Sequence, residues 1–168
     1  MRPNDLTSSS SLPEIPWKEK IAYLVQEMAS FPQVECPLKH YFPPHAYVRE
    51  IFMPAGSIVI GKIHKTEHIN IIQKGKVTLV KEDGTRETLE GPLTFVSKAG
   101  VQKALYIHED TVWSTVHVTE NRDLESLEAE LIEPNDYPLF DRTIESLNLL
   151  AAAENETTVS DQIARIYL

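Results

Sequence analysis

GSIVIGKIHKTEHINIIQKG, residues 56 to 75, sets two histidines, His64 and His68, between an apolar run ending at Ile60 and the β-type stretch Ile69 to Ile72. A strand alternates its faces, so residues four apart share one. The spacing predicts that both imidazoles point into the same interior. They are the candidate site, and the neighbouring sequence decides what kind of interior it is.

Strand-like segments surround this stretch. Tyr47 to Met53 and Ser57 to Ile60 read as strands separated by a Pro54-Ala55-Gly56 turn. Lys76 to Glu82 and Thr85 to Glu90 flank Asp83-Gly84, a pair that predicts a two-residue hairpin turn. Thr94 to Ser97, Val101 to Ile107 and Thr111 to Val118 follow, and all six glycines lie between Gly56 and Gly100, where they punctuate short strands. About eight short strands in roughly seventy residues predict two packed antiparallel sheets, a sandwich or barrel.

The flanks are different. Residues 1 to 16 combine four serines with Pro3, Pro13 and Pro16 and read as a flexible arm. From Trp17, the residues Ile21, Leu24, Val25, Met28 and Phe31 fall at helical intervals, predicting an amphipathic helix ended by Pro32, whose apolar stripe suits either its own domain or a partner subunit. Pro37, Pro43 and Pro44 make residues 32 to 46 an irregular lead-in. After Asn121, Leu124, Leu127 and Leu131 recur at helical spacing, as do Ile144, Leu147 and Leu150 beyond Pro134 and Pro138. The segment from Glu154 reads as a docking piece or a loose tail.

Composition narrows the function classes. Hydrophobic residues make up 42% of the 168 and charged residues 24%, a globular balance. No apolar run approaches the roughly 18 residues a membrane span needs, and the N-terminal residues lack the apolar core of a secretory signal, so a cytoplasmic protein is expected. Sixteen basic against 25 acidic residues give a formal charge of −9, which disfavours free nucleic acid as a partner. The acidic excess at Glu120, Asp123, Glu125, Glu128, Glu130 and Glu133 reads as a solvated helix face. Cys36 is the single cysteine and lacks a CxxC partner, so it reads as a small buried residue. No Gly-x-Ser-x-Gly, phosphate loop or dinucleotide fingerprint occurs.

The central stretch resembles the first motif of the cupin family, which runs glycine, five residues, His-x-His, three or four residues, Glu, six residues, glycine. Gly56, Lys62, His64, His68 and Gly75 fit that frame without a gap, with Lys62 where the first histidine would stand and His68 where the glutamate would stand. The second motif runs glycine, five residues, Pro-x-Gly, two residues, His. Gly91, Lys98-Ala99-Gly100 and Lys103 match it more loosely, lysine replacing both its proline and its histidine. The likeness covers roughly residues 47 to 120. It implies an all-β core, a single cupin (jelly-roll) barrel over 47–120. A flexible arm at 1–16, a helix with lead-in at 17–46 and a C-terminal helical extension at 121–168 complete the organisation. The phrases REIFMPAGS, HKTEHINIIQKGKV and YIHEDTVWSTVHVT are similar to those of small cupin proteins encoded in tailed-phage and prophage genomes, which implies a role in the virion or in the cytoplasm of the infected cell.

A divalent first-row metal needs three or four N or O ligands, and His64 and His68 supply two. His117 is the best third candidate because it lies on the last predicted strand, although it shares a face with Trp113 and Thr115, whereas Val112, Val116 and Val118 form the more apolar face. Its direction stays open at this stage. His108 has the opposite parity from Lys103, Leu105 and Ile107 and should face away, while His40 and His45 lack any spacing linking them to the pair. A core histidine with ordinary hydrogen bonds is the plainer account of each imidazole. Lys62, Lys103 and Asn70 would form an anion pocket if they pointed inward; otherwise the lysine stems lie along the barrel and the amines reach solvent.

Three functions follow, in this order. The first is a non-enzymatic binding or structural module of phage type, a homo-oligomer that contacts phage structural proteins through its arms. The second is a metal-dependent enzyme of dioxygenase or isomerase type, with iron, manganese, nickel or zinc on His64, His68 and His117. The third is a barrel that takes a small anionic metabolite between Lys62 and Lys103.

Overall fold

The computed structural model describes residues 15 to 134. The serine-rich arm up to residue 14, the helix expected around Ile144, Leu147 and Leu150, and the segment from Glu154 lie outside the described residues. Within them the chain runs α1 (Trp17–Met28), β1 (Leu38–Tyr41), β2 (Ala46–Met53), β3 (Ile58–Ile60), β4 (His68–Val80), β5 (Arg86–Glu90), β6 (Leu93–Ser97), β7 (Ala104–Val118) and α2 (Leu124–Leu131).

The two long strands β4 and β7 pair antiparallel along their length and belong to both halves of the barrel. The C-terminal part of β7 pairs with β2, which pairs with β1, and the N-terminal part of β4 pairs with β6. Beyond a corner, the N-terminal part of β7 pairs with β3 and the C-terminal part of β4 with β5. One half is therefore ordered β1-β2-β7-β4-β6 and the other β3-β7-β4-β5. The all-β jelly-roll barrel expected from the sequence is present, with a helix on each flank.

The corner has a clear sequence basis. Buried residues of β4 are even-numbered at His68, Asn70 and Ile72 and odd-numbered at Val77 and Leu79, and the register slips between Ile72 and Val77. A bulge of this kind re-aims the strand and increases its twist. Gly75 sits within it at φ 104°, and a Cβ there would lie 2.6 Å from the Thr111 Cα. Only glycine combines that backbone with that approach.

Several local expectations change. The stretch 32–46 contains a strand, β1, because Leu38–Tyr41 sits between Pro37 and Pro43 without a proline of its own and pairs Leu38 with Ile51. The two expected strands Val101 to Ile107 and Thr111 to Val118 are one strand, continuous through the corner at His108–Asp110. The hairpin at Asp83-Gly84 has three central residues, not two: the Lys81 amide donates to the Thr85 carbonyl at 3.0 Å. Gly84 takes the left-handed position at φ 78°, as such three-residue loops require.

Three apolar clusters hold the molecule together. Inside the barrel, Met53, Ile72, Val77, Leu79, Leu105, Ile107 and Trp113 pack as one core with Leu89. Outside the second half, α1 lays Trp17, Ile21, Leu24 and Val25 on Ile60, Val80 and Ala104. The helix stripe is thus used within its own domain. At the mouth of the other half, α2 places Leu127 and Leu131 against Tyr47. Asp123 caps α2 by accepting from the Ser126 amide at 2.9 Å.

Candidate metal centre

Three elements bring three histidines to one point. His68 opens β4 on its inward phase, with Asn70 and Ile72 following on the same face. His117 occupies the inward face of β7 with Thr111, Trp113 and Thr115, and only 2% of it is exposed. The direction of His117 is therefore inward, while the more apolar face turns out, to the extent that Val118 is 89% exposed. His64 comes from the loop between β3 and β4. Its carbonyl accepts from the Gly100 amide at 2.9 Å, and the loop is tied to the end of α2 by Lys65 N–Leu131 O at 2.8 Å and Glu133 N–Ile63 O at 2.9 Å.

The ring centroids are 4.1 Å apart for His64 and His68, 5.0 Å for His64 and His117, and 4.9 Å for His68 and His117. One nitrogen from each ring lies within 4.8 Å of the others, and among the described residues this is the one cluster of three or more metal-type side chains. Bonds of about 2.0–2.1 Å to a tetrahedral ion would set such nitrogens about 3.3 Å apart. A modest inward movement of the rings would therefore close them on one ion.

The donor set fits such an ion chemically. Buried Nδ1 atoms on both His64 and His117 have no hydrogen-bond partner, a costly arrangement that a metal or its ligands would relieve. His68 differs, because its Nδ1 lies 3.1 Å from the Thr66 carbonyl; donation there leaves Nε2 as the lone-pair atom. Burial pushes His64 down to about 3, with His68, His117, Arg49 and Lys103 adding to it. Burial pushes His117 down to about 4, helped by His68 and Arg49. His68 is also lowered by burial, against the opposing pull of the Thr66 carbonyl. All three are neutral imidazoles near pH 7, the state that ligates.

Tyr47 braces the cluster from behind. Its ring stacks 6.2 Å from His117, and its hydroxyl lies 2.8 Å from the Nδ1 of His40. His40 thus reaches His117 through Tyr47, by way of strand pairing rather than sequence spacing. His108 faces away as expected, bonding the Thr78 hydroxyl at 2.7 Å. His45 pairs with Glu120 at an exposed site.

A cavity of about 270 Å³ opens inside the barrel beside His64 and His68, and Lys62, Asn70 and Lys103 all line it. Their roles diverge. The Lys62 amine pairs with Glu128 on the exposed acidic face of α2. Asn70 is engaged on both sides of its amide, donating to the Ser97 hydroxyl at 2.9 Å and accepting from the Trp113 indole at 3.0 Å. Lys103 donates to the Ser97 hydroxyl and lies 5.4 Å over the Phe95 ring. Burial draws Lys103 down to about 8, with Lys81 adding to it.

Two lining residues were missed in the sequence, Arg49 and Thr115. A signal for Arg49 was present: it shares strand parity with Tyr47, Ile51 and Met53, so a cation sits on an otherwise apolar face.

No family model matches the chain, and no curated protein matches it. Among solved structures, similarity extends to an RmlC-like cupin family protein with a double-stranded β-helix fold from Methanocaldococcus jannaschii (17% identity, 51% of this chain and 82% of that one, TM-score 0.44). A cupin-2 domain containing protein from Shewanella frigidimarina matches at 13% identity over 61% of this chain and 98% of that one, TM-score 0.42. A putative ethanolamine utilization protein Q from Salmonella typhimurium matches at 9% identity over 51% of this chain and 71% of that one, TM-score 0.44. The strand order itself carries the conclusion about architecture: two half-barrels sharing β4 and β7 make this chain a cupin-type, double-stranded β-helix barrel.

Proposed function

We propose that the chain is a metal-binding barrel in which His64, His68 and His117 together hold one divalent transition ion, of iron, manganese, nickel or zinc. The observation that carries this reading is the convergence of three neutral imidazoles, two buried and His64 half-buried, from three separate elements, with buried unpartnered nitrogens on two of them. When bound, the ion supplies Lewis acidity to a donor in its remaining positions. The chain's own residues do the rest. Tyr47 and the Thr66 carbonyl orient two of the rings, and α2 covers the mouth through Leu127, Leu131 and the Lys62–Glu128 pair. The adjoining cavity admits a small molecule.

This places the metal-dependent reading, enzymatic or ligand-binding, ahead of the phage-type assembly module. The assembly module relies on the helical arms for partner contacts, and the apolar stripe of one of them, α1, lies on Ile60, Val80 and Ala104 of its own barrel. The phage likeness stays with the sequence phrases that suggested it. Titration of tag-free, chelator-treated protein with Zn²⁺, Ni²⁺, Mn²⁺ and Fe²⁺ tests the proposal. The expected result is saturation near one ion per chain, with a rise in melting temperature that His64→Ala and His117→Ala each abolish. Absence of binding by every ion, or binding unchanged in both variants, would overturn it.

A further inference from the structure

The interior cavity has an unusual charge inventory. Arg49, Lys62 and Lys103 line it together with His64 and His68, and among the described residues no aspartate or glutamate does. Lys62 is already paired with Glu128. The Arg49 guanidinium makes no hydrogen bond or ion pair among the described residues, although it feels Glu128 electrostatically. Among the described residues, Lys103 has only the Ser97 hydroxyl and the face of Phe95. The Thr115 hydroxyl, in the same wall, is buried without a partner.

Arg49 and Lys103 are half-buried, and a cation drawn partly out of water without a counter-charge is costly. The cost grows when the neighbouring site takes a dication on three neutral imidazoles, because such ligands cancel none of its charge. An anion entering the cavity would lower the energy of Arg49, of Lys103 and of the metal at once. Ile51, Met53, Val59 and Leu105 add an apolar lining that suits a carbon skeleton rather than a bare inorganic ion. Arg49 offers the planar fork that matches a carboxylate.

We infer that the cavity binds a small organic carboxylate, held by Arg49 and Lys103 with the Thr115 hydroxyl as a further donor, beside the three-histidine cluster. This deepens the metal reading, since part of the charge argument rests on it.

Malonate, its neutral counterpart malonamide, and inorganic phosphate serve as probes, titrated by calorimetry into the full chain, metal-free and zinc-loaded. Malonate should bind, and zinc should tighten it. Arg49→Gln should weaken malonate binding about tenfold to a hundredfold, as expected for loss of a hydrogen bond to a charged group. Lys103→Gln, on another wall, should weaken it in the same direction and carries the test if Arg49→Gln fails to fold. The inference is overturned if malonate does not bind, if malonamide binds as tightly, if phosphate binds more tightly than malonate, or if the folded variants bind malonate unchanged. Zinc binding without malonate binding would leave the metal reading standing and remove this one. Arg49-dependent malonate binding without zinc binding would do the reverse.

Discussion

The two halves of the barrel are built on the same long strands, β4 and β7, yet they line their interiors with opposite chemistry. Beyond the corner, Val77, Leu79, Leu105 and Ile107 make a dry core. Before it, the same strands turn His68, Asn70, Thr115 and His117 inward, joined by Arg49 from β2. Hydrophobic burial accounts for the first half. It does not account for the second, where β7 turns His117 inward and leaves Val118 89% exposed. A strand that shows valine to water and keeps histidine dry has its face chosen by a site, at some expense in stability.

The sharpest way to test this division is to damage each half separately. Ile107→Ala, at a residue with 0% exposure in the dry half, should cost about 2–5 kcal/mol in urea unfolding, while zinc stoichiometry of the remaining folded protein stays unchanged. Gly75→Ala, at the corner, forces a side chain into a left-handed backbone and against Thr111. It should cost about 1–3 kcal/mol, and a loss smaller than a surface change would contradict the role given to the bulge.

Acid should distinguish the halves next. His64 at about 3, His117 at about 4 and the lowered His68 all lie below the ordinary value of 6.5 in the folded, metal-free chain. The unfolded chain therefore binds more protons below pH 6.5. The stability tied to the neutral rings is intact above that value and is lost as pH falls toward 4. Melting temperatures of metal-free protein between pH 7.5 and 4.5 should fall, and a His64→Leu, His117→Leu double variant should fall less steeply. Equal slopes would mean that the cluster does not carry the acid sensitivity.

Two further changes should be nearly silent in stability. Glu128→Gln removes the ion pair that Glu128, 62% exposed, makes with Lys62, and should cost no more than about 1 kcal/mol in thermal melts. His64→Leu removes a buried unpartnered nitrogen and should leave metal-free stability within about 1 kcal/mol. A large loss in the second case would make His64 an ordinary core residue.

The all-β core and the two flanking helices were legible because alternation, glycine punctuation and helical spacing are local signals, whereas the strand order is set by pairings between residues distant in sequence. Gly56 to Gly75 placed His64 and His68 together, as found, but not by strand alternation: His68 opens β4 while His64 lies in the preceding loop, held by the Gly100 amide on its carbonyl. His117 was legible as a candidate but not as an inward residue, since the rule that the apolar face is the buried one fails on β7. Arg49 and Tyr47 were not seen because they meet the cluster through the β2–β7 ladder, which pairs Tyr47 with His117 and Arg49 with Thr115, while Thr115, placed on the face of His117, had no direction until that face was known to turn inward. Such partners are distant in sequence. The two strands within 32–46 and across 104–118 were missed or divided because flanking prolines and the polar corner resemble loop sequence.

The central claim is that three histidines act as one ligand set, and X-ray absorption at the metal edge of the zinc-loaded full chain tests it most directly. The account predicts about three imidazole nitrogens at about 2.0–2.1 Å, reduced by one in His117→Ala. A spectrum with one imidazole or none, or one unchanged by His117→Ala, would contradict it.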